Sequence, residues 1–195
     1  GFDVIHTNKT VATLADDEIL DLDAEQIQLT LSDITVGGTG SIDIAATGGG
    51  TGTFSGLWLY DSNLTAEDTA SIALAGQAGS TGNYNQGIKL TNGSLVSTED
   101  GDIDLDGTGG GGALYGTGVV LYSGSSIAAG GAGNVTIDGT GGNGTSNNDG
   151  VATNSGSSIT AQTGNIGITG TAGGTGSQNR GVNIAGTTLT TTGGN

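Results

Sequence analysis

The chain has 195 residues, 42 of them glycine, with no proline, cysteine or methionine and only 33% hydrophobic residues. Without cysteine there is neither a disulfide framework nor a thiolate metal site, and with His6, Lys9, Lys89 and Arg180 as the only imidazole or basic side chains most catalytic constellations cannot be assembled. The formal charge of −16 repels nucleic acid, which needs a basic face, and no apolar run approaches the ~18 residues of a membrane helix, so no span is expected.

The lack of methionine and of a signal peptide reads as a processed or excised piece of a larger product. Charge is uneven: residues 1–106 hold 17 acids against two lysines, whereas residues 107–195 hold only Asp138, Asp149 and Arg180. Residues 1–39 carry loose apolar beats at Ile19, Leu20 and Leu22, at Ile27, Leu29 and Leu31, and at Ile34 and Val36. Seven acids lie between Asp16 and Asp33, and there is no glycine loop. This stretch reads as irregular acidic opening coils, one or two in number and shorter than the coils of residues 40–195.

Residues 40–195 read as five repeats, at about 40–69, 70–101, 102–133, 134–164 and 165–195. A glycine-rich chain could be a flexible linker, but a regular period excludes it. The first beat of each unit is an alternating pair: Ile42 and Ile44, Ile72 and Leu74, Ile103 and Leu105, Val135 and Ile137, Ile166 and Ile168. The second follows a glycine: Leu57 and Leu59, Ile88 and Leu90, Val119 and Leu121, Val151 and Thr153, Val182 and Ile184. The third is a single aliphatic: Leu64, Leu95, Ile127, Ile159 and Leu189. Asn195 falls in the phase of Asn134 and Asn165, so the array reads as cut in mid-rhythm.

Alternation at period two places the aliphatics on one face of a strand and Ser, Thr, Asn and Asp on the other. Three short strands cannot close a core alone, so the units must stack and pair each strand with its counterpart in the next unit. The turns Thr91–Ser94 and Asn154–Ser157 could serve hairpins. Yet 11 or 12 residues separate the first and second beats, as in Asp106–Thr117, which suits an outward loop better. The expected fold is therefore all-β: a right-handed parallel β-helix, or β-solenoid, with three short strands and a long Gly-rich loop in each coil of about 31 residues. On this reading a one-residue insertion in the loop 141–147 is nearly silent.

The runs Gly164-Asn165-Ile166-Gly167-Ile168-Thr169-Gly170-Thr171 and Gly133-Asn134-Val135-Thr136-Ile137-Asp138-Gly139-Thr140, each followed by a Gly-rich loop and a Gly-Val strand, resemble the repeats of filamentous-haemagglutinin-like bacterial exoproteins. The likeness covers about residues 40–195. It implies a large exported protein at a bacterial cell surface, extracellular and used in adhesion or biofilm matrix.

Stacking places Asp106 and Asp138 at equivalent positions about 5 Å apart, a candidate calcium pair and the one cofactor expectation; the alternative is a solvated acidic face. Phe54, Tyr84 and Tyr115 fall near one place in three successive loops, and Trp58, Tyr60 and Tyr122 point outward from the second strand. Together they form a candidate platform for sugars or a partner. Asn8, Asn63, Asn92, Asn134 and Asn143 head candidate glycosylation sequons. The expected function is a structural or adhesive rod segment and not an enzyme. Its expected partners are cell-surface or matrix glycans or proteins, together with further copies joined through coil ends. The alternatives are a carbohydrate-binding or carbohydrate-active β-helix and a subunit of an extracellular filament.

Overall fold

The computed structural model describes residues 3–48, 50–112 and 114–194; Asn195 lies outside them. Among these residues there is no helix. The chain winds through β1 (Val4–Asn8), β2 (Val11–Thr13) and β3 (Ile19–Ala24), then β4 (Gln26–Thr30), β5 (Asp33–Val36) and β6 (Ser41–Ala46). A third round is β7 (Leu57–Tyr60), β8 (Asn63–Ala66) and β9 (Ser71–Gln77), and a fourth is β10 (Ile88–Thr91), β11 (Leu95–Thr98) and β12 (Ile103–Thr108). The fifth and sixth are β13 (Val119–Leu121), β14 (Ser126–Ala129), β15 (Val135–Thr140), β16 (Val151–Thr153), β17 (Ser158–Ala161) and β18 (Ile166–Thr171). A seventh adds β19 (Val182–Ile184) and β20 (Thr188–Thr191).

Each strand pairs in parallel with its counterpart one round on, giving two sheets of seven strands and one of six: sheet A from β1 to β19, sheet B from β2 to β20, sheet C from β3 to β18. The protein is thus a β-solenoid. The first beat forms one in-register column, Ile42–Ile72–Ile103–Val135–Ile166, buried through Val135 and extended backwards to Leu20. The second beat stacks Ile27, Leu57, Ile88, Val119, Val151 and Val182. Thr153 takes an aliphatic place in the neighbouring column at 1% exposure, and its Oγ1 accepts a hydrogen bond from Thr187 at 2.9 Å.

The third column departs from the expected one. Leu64 pairs with Val96, not with Leu95, and Val96 in turn pairs with Ile127. Val96 is fully buried while Leu95 is only half-buried. Corner length is the cause. Asp61 turns the corner between β7 and β8 as a single left-handed residue (φ 48°), whereas Asn92 and Gly93 use two (φ 59° and 77°), so the inward position moves one residue along. Ser123–Gly124 and Ser155–Gly156 repeat the two-residue corner, which favours Gly because φ is positive. A buried serine follows each corner, and Ser94 and Ser157 donate Oγ–H back across it to the carbonyls of Thr91 and Asn154. These corners join sheet A to sheet B; they close no hairpin.

In the first round only Glu25 separates β3 from β4, so that coil is short: Val4 pairs with Gln26. Later rounds carry the long loop, and it is not a free excursion. Tyr84 N–H donates to the Leu114 carbonyl and Tyr115 N–H to that of Ser146, at 3.0 and 3.2 Å, so loop stacks on loop. Buried Asn85 ties it inward, its Nδ2 donating to the carbonyls of Gly79 and Thr81. A Cβ at Gly142 would overlap the Gly110 carbonyl oxygen of the round before. An insertion in 141–147 therefore breaks this stacking instead of passing unnoticed, contrary to the expectation for a loose loop.

Candidate ligand-binding face

Outward positions of sheet C present Asp21 and Asp43, then Ala73, then Asp104, with Asp23, Ala45, Ala75, Asp106 and Asp138 alongside. Where the alanines intervene, a shallow trough of about 240 Å³ has an apolar floor and carboxylates at both ends. Asp106 and Asp138 are register partners and both exposed. Calcium takes six to eight oxygens, and among the described residues no three His, Cys, Asp or Glu side chains gather round a common point.

Sheet A carries a different chemistry. One outward column runs Gln28, Trp58, Lys89, Val120, Ala152 and Asn183. Lys89 Nζ lies 4.3 Å from the centre of the Trp58 ring, a cation–π contact. Burial of its stem depresses the Lys89 pKa. Trp58 Nε1 donates to Thr91 Oγ1 at 2.9 Å, and Tyr60 meets Trp58 edge to face at 6.0 Å. The Trp58 ring is thereby held on three sides.

The loop aromatics divide. Tyr84 and Tyr115 occupy the same rung position and stack, with centroids 4.7 Å apart and planes 8° from parallel. Both take left-handed backbone (φ 64° and 62°), and Asn147 and Gln178 continue that column at φ 57° and 60°. Phe54 stands one step further along, at the rung of Asn85, and a Cβ on Gly79 would press its ring.

Below Tyr115 the column of rings ends, and a notch of about 90 Å³ opens among Tyr115, Tyr122, Asn147, Asp149, Asn154 and Asn183, with Ala152 as its floor. Asp149 is 4% exposed. Its carboxylate accepts from Arg180 N–H at 2.8 Å and Asn183 Nδ2 at 2.9 Å, and Arg180 Nη1 lies 3.7 Å away. Burial first, then the charges of Asp149 and Tyr115, push the Tyr122 pKa up, so its hydroxyl keeps its proton. Sequence reasoning found the two tyrosines but missed Asn147, Asp149, Asn154 and Asn183. Adding the 32-residue offset of Val119 and Val151 to Tyr115 and Tyr122 gives Asn147 and Asn154, so the period held the signal.

Of the sequon asparagines, Asn8, Asn92 and Asn143 are exposed. Asn63 Nδ2 donates to Asp33 at 2.7 Å, and Asn134 bridges Asp102 and Asn165. Comparison with protein-family models, curated proteins and solved structures gives no match to this chain.

Proposed function

We propose that the chain is a rod-forming segment of an extracellular, cell-surface protein that bears load and binds matrix or surface glycans through the flank of sheet A. The observation that carries this reading is the separation of chemistry by face. The inward columns are aliphatic from Ile27 to Ile159 save for Thr98 and Thr153, while sheet C presents acids and alanines and sheet A presents rings, amides and one cation–π pair. Such an interior builds a stiff spacer, and differentiated flanks give it adhesive surface. The resemblance to filamentous-haemagglutinin-like exoproteins agrees with a bacterial surface location.

The last rung adds a second element to this reading. Val182, Ile184 and Leu189 are 39%, 43% and 44% exposed and frame an apolar face of about 450 Å³, on which a second copy of the chain can stack strand edge to strand edge. The test is adhesion of protein-coated beads to films of neutral and acidic polysaccharides, with reducing-end release followed in parallel. Adhesion without turnover is expected. Absence of adhesion to every film, or turnover abolished by Asp104→Asn or Asp106→Asn, would overturn the reading.

A further inference from the structure

Resting on the glycan-binding reading of sheet A, we propose that the notch beneath Tyr115 is a subsite for one uncharged or N-acetylated hexose of a glycan, whose ring stacks on Tyr115 as the next rung of the aromatic column. Tyr84 covers one face of the Tyr115 ring at 4.7 Å with nearly parallel planes. The spacing equals the ~4.8 Å rise between rounds, so the stack runs along the rod and the opposite face of Tyr115 looks toward the sixth round. There the column continues with Asn147 and Gln178, in the same left-handed conformation but without a ring. The notch lined by Tyr115 and Asn147 lies where the next ring of the column would stand, and the C–H face of a pyranose has the shape and polarity to pack on Tyr115 there.

The lining supplies the polar half of recognition. Among the described residues, the hydroxyls of Tyr115 and Tyr122 and the side-chain amides of Asn147 and Asn154 make no hydrogen bond within the protein, and all four residues line the notch. Its 90 Å³ is the volume of about three waters at ~30 Å³ each, so the notch seats one edge of a single hexose and leaves the rest of the ring in solvent. Asp149 is the one charged residue of the lining and already holds the neighbouring Arg180 guanidinium at 3.7 Å, so the carboxylate of a uronic or sialic acid meets no free cation there. Trp58 is a poorer platform because Lys89 already occupies its face at 4.3 Å.

The test is an amide NMR titration of the whole chain with the methyl glycosides of glucose, galactose and N-acetylglucosamine, and with methyl glucuronide. At least one neutral glycoside is expected to shift the amides of Tyr115, Gly116, Asn147 and Asn154 with a Kd of about 1–10 mM, and the glucuronide to bind at least tenfold more weakly. Asn147→Tyr puts a ring in the proposed place of the sugar, on a backbone conformation that Tyr84 and Tyr115 already adopt. It should abolish the shifts without lowering the melting temperature, whereas Trp58→Ala, outside the notch, should retain them. Shifts that persist in a folded Asn147→Tyr protein, or no shift at 50 mM of any neutral glycoside, would overturn the subsite. Bead adhesion separates this from the broader reading: adhesion that survives Asn147→Tyr removes the notch alone, and sugar binding in a chain that adheres to nothing removes the adhesive role alone.

Discussion

Replacing Val96 by alanine and, separately, Leu95 by alanine tests the corner-length rule. Val96 is fully buried between Leu64 and Ile127, and its neighbour Leu95 is half-buried on the outward side of β11. Val→Ala removes two methyl groups, about 0.8 kcal/mol each by transfer, and the cavity left in a stacked column adds to this, for about 2–3 kcal/mol. Leu95→Ala deletes a larger side chain, yet from a partly solvated face, and costs under about 1 kcal/mol. In a chain of this length one kcal/mol moves the midpoint by about 2–4 °C. Thermal unfolding followed by circular dichroism should therefore place Val96→Ala about 5–10 °C below the parent and Leu95→Ala within about 3 °C. A larger loss for Leu95→Ala would show that the inward register follows the seven-residue spacing of Leu57 and Leu64 and that the two-residue corner does not shift it.

Gly142→Ala, in the loop that stacks on Gly110, should destabilise as much as a core truncation, about 2 kcal/mol or more, by urea unfolding; a loss under about 0.5 kcal/mol would mean that the loop is loose after all. Gly124 has open space around its Cβ position but φ 76°, so Gly124→Ala should cost about 1 kcal/mol from backbone strain alone and Gly124→Asn less, both by the same assay. The Asp17 carboxylate accepts from Thr39 N–H at 2.6 Å and Thr39 Oγ1 at 3.0 Å, and these bonds, the backbone one first, hold its pKa below the ordinary 3.8. The folded form binds its proton later than the unfolded chain, so the contribution is present above pH 3.8 and lost as pH falls through the lowered value. The Thr39 amide resonance should titrate below pH 3.8 in the parent, and that titration should vanish in Asp17→Asn.

The inner columns could be read from the chain because a period of two is local: Ile42 and Ile44, or Val135 and Ile137, declare their face within three residues. Corner geometry could not. Leu95 and Val96 are both aliphatic and adjacent, and only the left-handed pair Asn92–Gly93 against the single Asp61 decides which points in. The same limit applies to Phe54, which sits near Tyr84 in spacing but one rung position away in space. The notch was harder still. Its lining comes from three successive rounds, Tyr115 and Tyr122, then Asn147, Asp149 and Asn154, then Asn183, and no stretch of chain contains more than a fragment of it. Asp106 and Asp138, by contrast, need only one offset of 32 residues, and the register joins them as the period implied.

The net charge of −16 is not what disfavours an anionic sugar at the notch. The nearer fourth-round Asp104 and Asp106 project from sheet C and not from sheet A, and the nine acids from Asp3 to Asp43 lie three or four rounds from Tyr115, about 14–19 Å at ~4.8 Å per round. The Debye length at physiological salt is about 8 Å, so their field is largely screened there. Asp149 acts at contact range from a buried position and is screened far less. Discrimination against methyl glucuronide should accordingly survive 0.5 M sodium chloride with little change. It should collapse in Asp149→Asn, which keeps an acceptor for Arg180 N–H while removing the lining's only charge and freeing the Arg180 guanidinium, now 3.7 Å from the carboxylate. Discrimination lost in salt but retained in Asp149→Asn would assign it to the acidic rounds at a distance, and the local account would be wrong.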